Sequence, residues 1–363
     1  MNVKEITNAI EALAPLYLQE SWDNAGMQVG NPMSEVTGVL LCTDVREEII
    51  DEAIERGANL IISHHPLLFR GLKKIVGRTY QERIVARAIK HDITIYCAHT
   101  NMDCATGGVN FKMAQKLDLK NVTVLNPQQH TLCKIIVFVP TAAAPQVEEA
   151  MCQAGAGKLG NYDNCSYQMA GEGHYRPLEG AQPWAGAVGE THSETEVRLE
   201  VLVHKALCGK VVGAMIKAHP YEEPAFDIIT LDNRDKSAGL GVIGEIEPQD
   251  AREFLFKVKK AFDVECMRYS GNLSKKVSKI AMCGGAGAEF TGLAMSSGAD
   301  VYITGDMKYH EFQGNEERII LVDIGHYESE HYTKEIFYDI IQKKNPNFAV
   351  DFARSEKNQV KYL

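Results

Sequence analysis

The chain has 363 residues, enough for two or more domains. Its 45% hydrophobic and 24% charged residues are those of an ordinary globular protein, and a net charge of -10 argues against broad binding to nucleic acid or to an anionic membrane. Nine cysteines without a Cys-x-x-Cys pair argue against a disulfide framework and a thiolate zinc site. No apolar run approaches the ~20 residues of a membrane span, and the first residues do not read as a signal peptide, so a cytoplasmic protein is expected.

Ile6, Ala9, Ile10 and Leu13 fall on one face of a helix over Lys4 to Leu13, which Pro15 ends. Ser21 to Gly30 reads as a polar, glycine-punctuated loop holding Trp22, either a packed turn or a loop lining a site. Val39 to Thr43 is a buried strand with Asp44 at its carboxyl end, and Arg46 to Gly57 is an amphipathic helix with a glycine stop. The next apolar run, Asn59 to Ile62, ends in Ser63-His64-His65-Pro66. Together these make a β-α-β unit, which implies a parallel sheet with right-handed crossovers. Pro66 biases His65 toward extended backbone, where neighbouring side chains diverge, so the two histidines could serve two metal ions. Taken alone, such a pair is more often incidental than ligating.

Gln81 to His91 is a helix, and the strand Ile93 to Ala98 runs into His99-Thr100-Asn101-Met102-Asp103. Gly107-Gly108 opens a helix through Leu117. From about His130 to Leu240 the order becomes β-α-β-β-α-β, that of a ferredoxin-like unit. A Gly-, Pro- and Trp-rich loop from Gly171 to Gly189 separates its middle strands, and His219-Pro220-Tyr221-Glu222-Glu223-Pro224 reads as a rigid turn or a ligand or partner site. After Gly239-Leu240-Gly241 the first pattern resumes, with strands ending at Gly284-Gly285-Ala286-Gly287, Gly305-Asp306 and Gly325-His326, then a long helix over roughly Tyr327 to Lys343. Polar residues thus gather at strand carboxyl ends, where open α/β sheets place their ligands. The expected architecture is a three-layer α/β core made from 1–128 and 241–363, with an α+β domain inserted at 129–240.

His326 and Glu330 are four residues apart at the start of a helix and so share a face. With His64, His65 and Asp103 they supply three nitrogens and two carboxylates. That set suits zinc, or Mn, Fe or Co, better than calcium or magnesium. Five side chains suffice for two ions only if a carboxylate, with Glu330 the choice, or a hydroxide is shared. His99, Asp44, Asp306 and His310 lie at strand ends and read either as loop-stabilising residues or as partners of the ligands or acid–base groups, with His99 and Asp306 the candidates for proton transfer. Gly284-Gly285-Ala286-Gly287 lacks a phosphate-loop Lys-Ser/Thr and reads as a tight turn.

At Trp22-Asp23-Asn24-Ala25-Gly26, Ser63-His64-His65-Pro66, His99-Thr100-Asn101-Met102-Asp103, Thr304-Gly305-Asp306 and Gly325-His326-Tyr327-Glu328-Ser329-Glu330 the chain resembles the GTP cyclohydrolase I type 2 homologue family of NIF-three-like dinuclear-metal proteins. The segment carrying Asn164-Cys165-Ser166-Tyr167 and His219 to Pro224 is similar to the CutA/PII-like central domain of the longer bacterial members. The resemblance implies two divalent ions per subunit held by His64, His65, Asp103, His326 and Glu330. It also implies a homohexamer (a trimer of dimers) and hydrolysis of a nucleotide-like or phosphorylated small molecule. A non-enzymatic, oligomeric metal-binding scaffold or regulator is the alternative expectation.

Overall fold

The computed structural model describes residues 1–314 and 318–363. By internal contacts the chain separates into two compact units, 1–127 with 237–363, and 128–236.

The first unit contains two mixed sheets, not the single parallel sheet that successive β-α-β patterns suggest. One has the strands Gly26–Val29, Thr94–Cys97, Leu60–Ser63, Val39–Cys42 and Val350–Phe352 in spatial order. All neighbours in it are parallel except Gly26–Val29, which runs antiparallel to Thr94–Cys97. Alternate strand residues face opposite sides, and both sides are covered, so the strands read as continuous apolar runs. Leu40, Ile61 and Ile95 pack with Ile49, Ile50, Ile84 and Val85 of the helices Glu47–Arg56 and Tyr80–Lys90. Val39, Leu41, Leu60 and Ile62 face Ile6 and Ile10 of Val3–Leu13 and Phe337 of Thr333–Lys344. Helix, sheet and helix thus form three layers.

The other sheet has Ile320–Asp323, Val301–Gly305 and Lys276–Ala286 as parallel neighbours, with Arg268–Ser270 and Asp235–Asp250 antiparallel at either side and Lys120–Gln128 beyond the latter. Its core pairs Ile280, Met282, Val301, Ile303, Ile320 and Val322 with Phe254, Leu255 and Val258 of Ala251–Ala261. The expected long last helix is two, His326–Glu330 and Thr333–Lys344. The break falls where the Thr333 hydroxyl donates to the Glu330 carbonyl at 2.7 Å, competing for the acceptor that a continuing helix would use.

In the 128–236 unit, the strands Leu132–Pro140, Ser166–Tyr175, His192–His204 and Phe226–Thr230 form an antiparallel sheet. Numbered by chain order within the unit, they lie 2-3-1-4 across it. The helices Ala144–Gln153 and Cys208–Ala218 cover one face through Val147, Met151, Val211 and Met215. The Ser166–Tyr175 strand runs five residues into what reads from sequence as a loop. Among the described residues, no helix is long and apolar enough to cross a membrane. All nine cysteines are free.

Candidate metal centre

Three strand ends, with the glycine-rich end of Lys276–Ala286 beside them, build the candidate site within the first unit. The Leu60–Ser63 strand stops immediately before His64 and His65, and Thr94–Cys97 leads into the short helix Thr100–Cys104, which carries Asp103. From the other sheet, Ile320–Asp323 leads into His326–Glu330, which carries the remaining pair. The five residues therefore come from the edges of two sheets.

Glu330 stands at the centre. Its Oε2 lies 2.9 Å from His65 Nε2, 3.0 Å from His326 Nε2 and 3.7 Å from His64 Nε2. His64 Nε2 is also 3.7 Å from Asp103 Oδ1, and the Nε2 atoms of His65 and His326 are 3.3 Å apart. Two donor groups result, His64 with Asp103 and Glu330, and His65 with His326 and Glu330. A third group of suitable atoms is His64, His65 and His99. The adjacent histidines belong to different carboxylate-containing groups although their ring centroids are only 5.0 Å apart.

Each ring is fixed from behind. The Nδ1–H of His64 donates to the Ala98 carbonyl at 2.9 Å, that of His65 to Asp44 Oδ1 at 2.9 Å, and that of His326 to Asp306 Oδ2 at 2.8 Å. His99 Nδ1 donates to Asp23 Oδ1 at 2.9 Å, and Asp23 Oδ2 also accepts from the Thr100 backbone N–H and hydroxyl. Anchoring one ring nitrogen to an acceptor fixes the tautomer and turns the other nitrogen's lone pair inward, the usual state of a metal-ligating histidine.

The donor set passes a direct test of fit. His64 Nε2 and Asp103 Oδ1 are buried and have no hydrogen-bond partner, a costly state that a cation between them would relieve. Donor separations near 3–3.7 Å suit an ion bound at roughly 2.0–2.2 Å by nitrogen and oxygen.

Charge is tightly coupled here. Burial works to raise the Glu330 carboxyl, but the charges and hydrogen bonding of His326 and His64 hold it well below the usual range. Burial pushes Asp103 up to about 6, helped by Glu330 and opposed by His64. Burial disfavours charged His65 and His326, yet their carboxylate partners push them up to about 10 and about 9. Burial also drives the Cys283 thiol well up, so it stays neutral beside the site.

Gly284 and Gly285 lie in the irregular end of the strand Lys276–Ala286, not in the tight turn expected from sequence, and have a role that the sequence does not announce. Gly285 has φ +63°, and a Cβ there would lie 2.3 Å from Glu330 Oε1. Asn110 ties the two halves of the site, donating to the Asp103 carbonyl at 3.0 Å and accepting from the Gly284 N–H at 2.9 Å. His310 lies apart from the donor groups, with its Nδ1 3.3 Å from Gln313. The pairing of Asp23 with His99 and the link through Asn110 carry no sequence signal beyond Asp23 standing in the Trp22 to Gly26 motif. A cleft of about 730 Å³ opens over the site, walled by Trp22, Phe69, Tyr80 and Phe290, with Arg70 beside them. Trp22 and Phe69 are nearly parallel, with ring centroids 6.5 Å apart.

The family model for Duf34/NIF3 (NGG1p interacting factor 3) matches residues 1–360. The chain belongs to the DUF34/NIF3 family. A relative from Halalkalibacterium halodurans, named GTP cyclohydrolase 1 type 2 homolog, is 43% identical over 328 residues, covering 90% of this chain and 88% of its own. One of the same name from Bacillus subtilis is 39% identical with the same coverage. Among solved structures, a Bacillus cereus protein related to NIF3 superposes with a TM-score of 0.84 at 38% identity, covering 100% of this chain and 99% of that one. A Staphylococcus aureus protein gives 0.79 at 28% identity and the same coverage.

Proposed function

We propose that this DUF34/NIF3 protein is a metal-dependent hydrolase with a dinuclear centre. In this reading His64 and Asp103 would hold one divalent ion, His65 and His326 would hold a second, and Glu330 would be shared between them. The observation that carries it is the convergence of three histidine Nε2 atoms and a buried, unpartnered Asp103 oxygen on one carboxylate. Mixed nitrogen and oxygen donors favour zinc, with Mn, Fe or Co able to replace it. Bound there, such ions supply Lewis-acid polarisation of a substrate oxygen and a water of lowered pKa.

The chain's own residues supply the rest. Asp23 orients His99, whose ring lies beside those of His64 and His65 and is placed to hold or deliver a proton. Asp306 serves His326 directly through its carboxylate and is the second candidate for proton transfer. The aromatic walls and Arg70 suit a planar, phosphorylated substrate, in keeping with relatives named for GTP cyclohydrolase. The 2-3-1-4 antiparallel order of 128–236 supports a ferredoxin-like, CutA/PII-like insert; a cytoplasmic homohexamer, built as a trimer of dimers, is part of the same proposal. A scaffold that holds metal without turnover is the second reading, favoured by the separate core of 128–236.

Elemental analysis and a screen of the metal-loaded protein against nucleotides and phosphoesters test both readings. Two ions per chain and metal-dependent turnover lost in His64→Ala support the hydrolase. Two ions with no turnover of any compound support the scaffold, and two ions with full activity in Glu330→Gln would remove the centre as drawn.

A further inference from the structure

The 128–236 unit carries a cleft of its own, about 270 Å³, formed by two segments that the metal centre leaves unused. One is the stretch from Gly173 to Trp184, and the other is the Tyr221 to Ala225 part of the His-Pro-Tyr-Glu-Glu-Pro turn. The Gln182 N–H donates to Glu222 Oε1 at 3.0 Å, and the Tyr175 hydroxyl donates to the Ala185 carbonyl at 3.0 Å, so the stretch is pinned over the turn.

At the cleft lies Glu196, only 8% exposed. Its Oε1 accepts from the Tyr221 hydroxyl at 2.7 Å. Among the described residues, no hydrogen bond reaches its Oε2 and no cation pairs with it. Glu200, four residues along the same strand, is by contrast paired with both Lys134 at 2.7 Å and Arg198 at 2.9 Å. The nearby His219 offers no compensation, because its Nε2–H donates to the Phe138 carbonyl and its Nδ1 accepts from the Tyr221 N–H. Gly173 makes room for the carboxylate, since a Cβ there would lie 2.2 Å from Oε2. A largely buried carboxylate that lines the cleft, with one oxygen held by Tyr221 and no counter-charge, is a ready partner for a cation in the space beside it.

The walls fit the same occupant. Tyr175 and Tyr221 meet edge to face at 5.7 Å, and Trp184, 60% exposed, stands at the opening. Aromatic faces attract cations through their quadrupole, most strongly where water is excluded. The lining carries three carboxylates, Glu196, Glu222 and Glu223, against the one guanidinium of Arg176, so phosphates are repelled. The volume suits a ligand of few heavy atoms.

We propose that this cleft binds a small organic cation, an ammonium or guanidinium compound, with Glu196 as its counter-charge and Tyr175, Tyr221 and Trp184 as its aromatic wall. Titration calorimetry of the full chain with choline and with agmatine tests it, with dimethylbutanol as the uncharged isostere of choline. At least one cation should bind saturably, with dimethylbutanol weaker by about tenfold or more. Glu196→Gln should weaken the cation by a similar factor. Trp184→Ala, at an exposed position, should weaken it while leaving the melting temperature unchanged. Failure of both cations to saturate at millimolar concentration overturns the proposal, as does equal binding of the uncharged isostere. Undiminished binding in a folded Glu196→Gln protein, or in Trp184→Ala should Glu196→Gln not fold, also overturns it.

Discussion

His65 and His219 both precede a proline and both follow a regular element, yet they are used in opposite ways. His219 spends both ring nitrogens on the backbone around it, and burial lowers its pKa. His65 spends one nitrogen on Asp44 and points the other at Glu330, and its carboxylate neighbours push it up to about 10. A ligating histidine is one whose second nitrogen the fold leaves available. The contrast extends to every ring of the cluster, since His64, His99 and His326 are also held by Nδ1.

The comparison is broken most severely by Glu330→Gln. Removing the charge that three rings surround should drop bound metal from two ions toward none, as read by elemental analysis on protein purified with added zinc; retention of both ions contradicts the shared-carboxylate arrangement. Gly285→Ala should come next. Its Cβ would overlap Glu330 Oε1 and its φ is unfavourable for alanine, so metal content should fall although every donor is present. A variant with full metal content shows that Glu330 shifts freely.

Asp306→Asn keeps the size of the group behind His326 and removes its charge. Metal affinity should weaken by roughly 10–100-fold with little change in melting temperature. Competition with a chelator measures this, and unchanged affinity assigns Asp306 to turn stability alone.

The smallest effect belongs to His219. Its folded pKa lies below the ordinary 6.5, so the unfolded chain binds more protons as the medium becomes acidic. Its contribution to stability is present above about 6.5 and is lost as pH falls toward the lowered folded value. Urea midpoints should therefore decline less steeply between neutral and mildly acidic pH in His219→Gln than in the unaltered chain. Parallel slopes refute the assignment.

Much of this was legible in the sequence because short, wholly apolar strands ending in polar runs signal a parallel sheet and its ligand edge. Val39–Cys42, Leu60–Ser63, Val301–Gly305 and Ile320–Asp323 all have that form. The same uniformity hid the division into two sheets, since a four-residue apolar strand carries no mark of its neighbour. Gly239-Leu240-Gly241, after which the first sequence pattern resumes, lies inside the strand Asp235–Asp250. There the missing side chain admits the adjoining strand, a Cβ on Gly239 falling 2.1 Å from the Asn126 carbonyl oxygen. Asp23 behind His99 was out of reach for a different reason. The two are 76 residues apart, and no periodicity links a loop aspartate to a histidine across that distance.

The last short strand, Val350–Phe352, pairs with Val39–Cys42 near the other end of the chain, and Glu330 lies 265 residues beyond His65. At about 5–20 residues per second, a ribosome takes roughly 10–50 s to cover that interval. Throughout it the histidine pair is made but its carboxylate partner Glu330 is not, so the donor groups that share Glu330 are incomplete. A metal ion that needs Glu330 as a ligand would therefore be bound only after that interval. Stalled nascent chains ending before Ile320 should retain no zinc, whereas the released protein should; retention on the shorter chain would show an earlier, partial site.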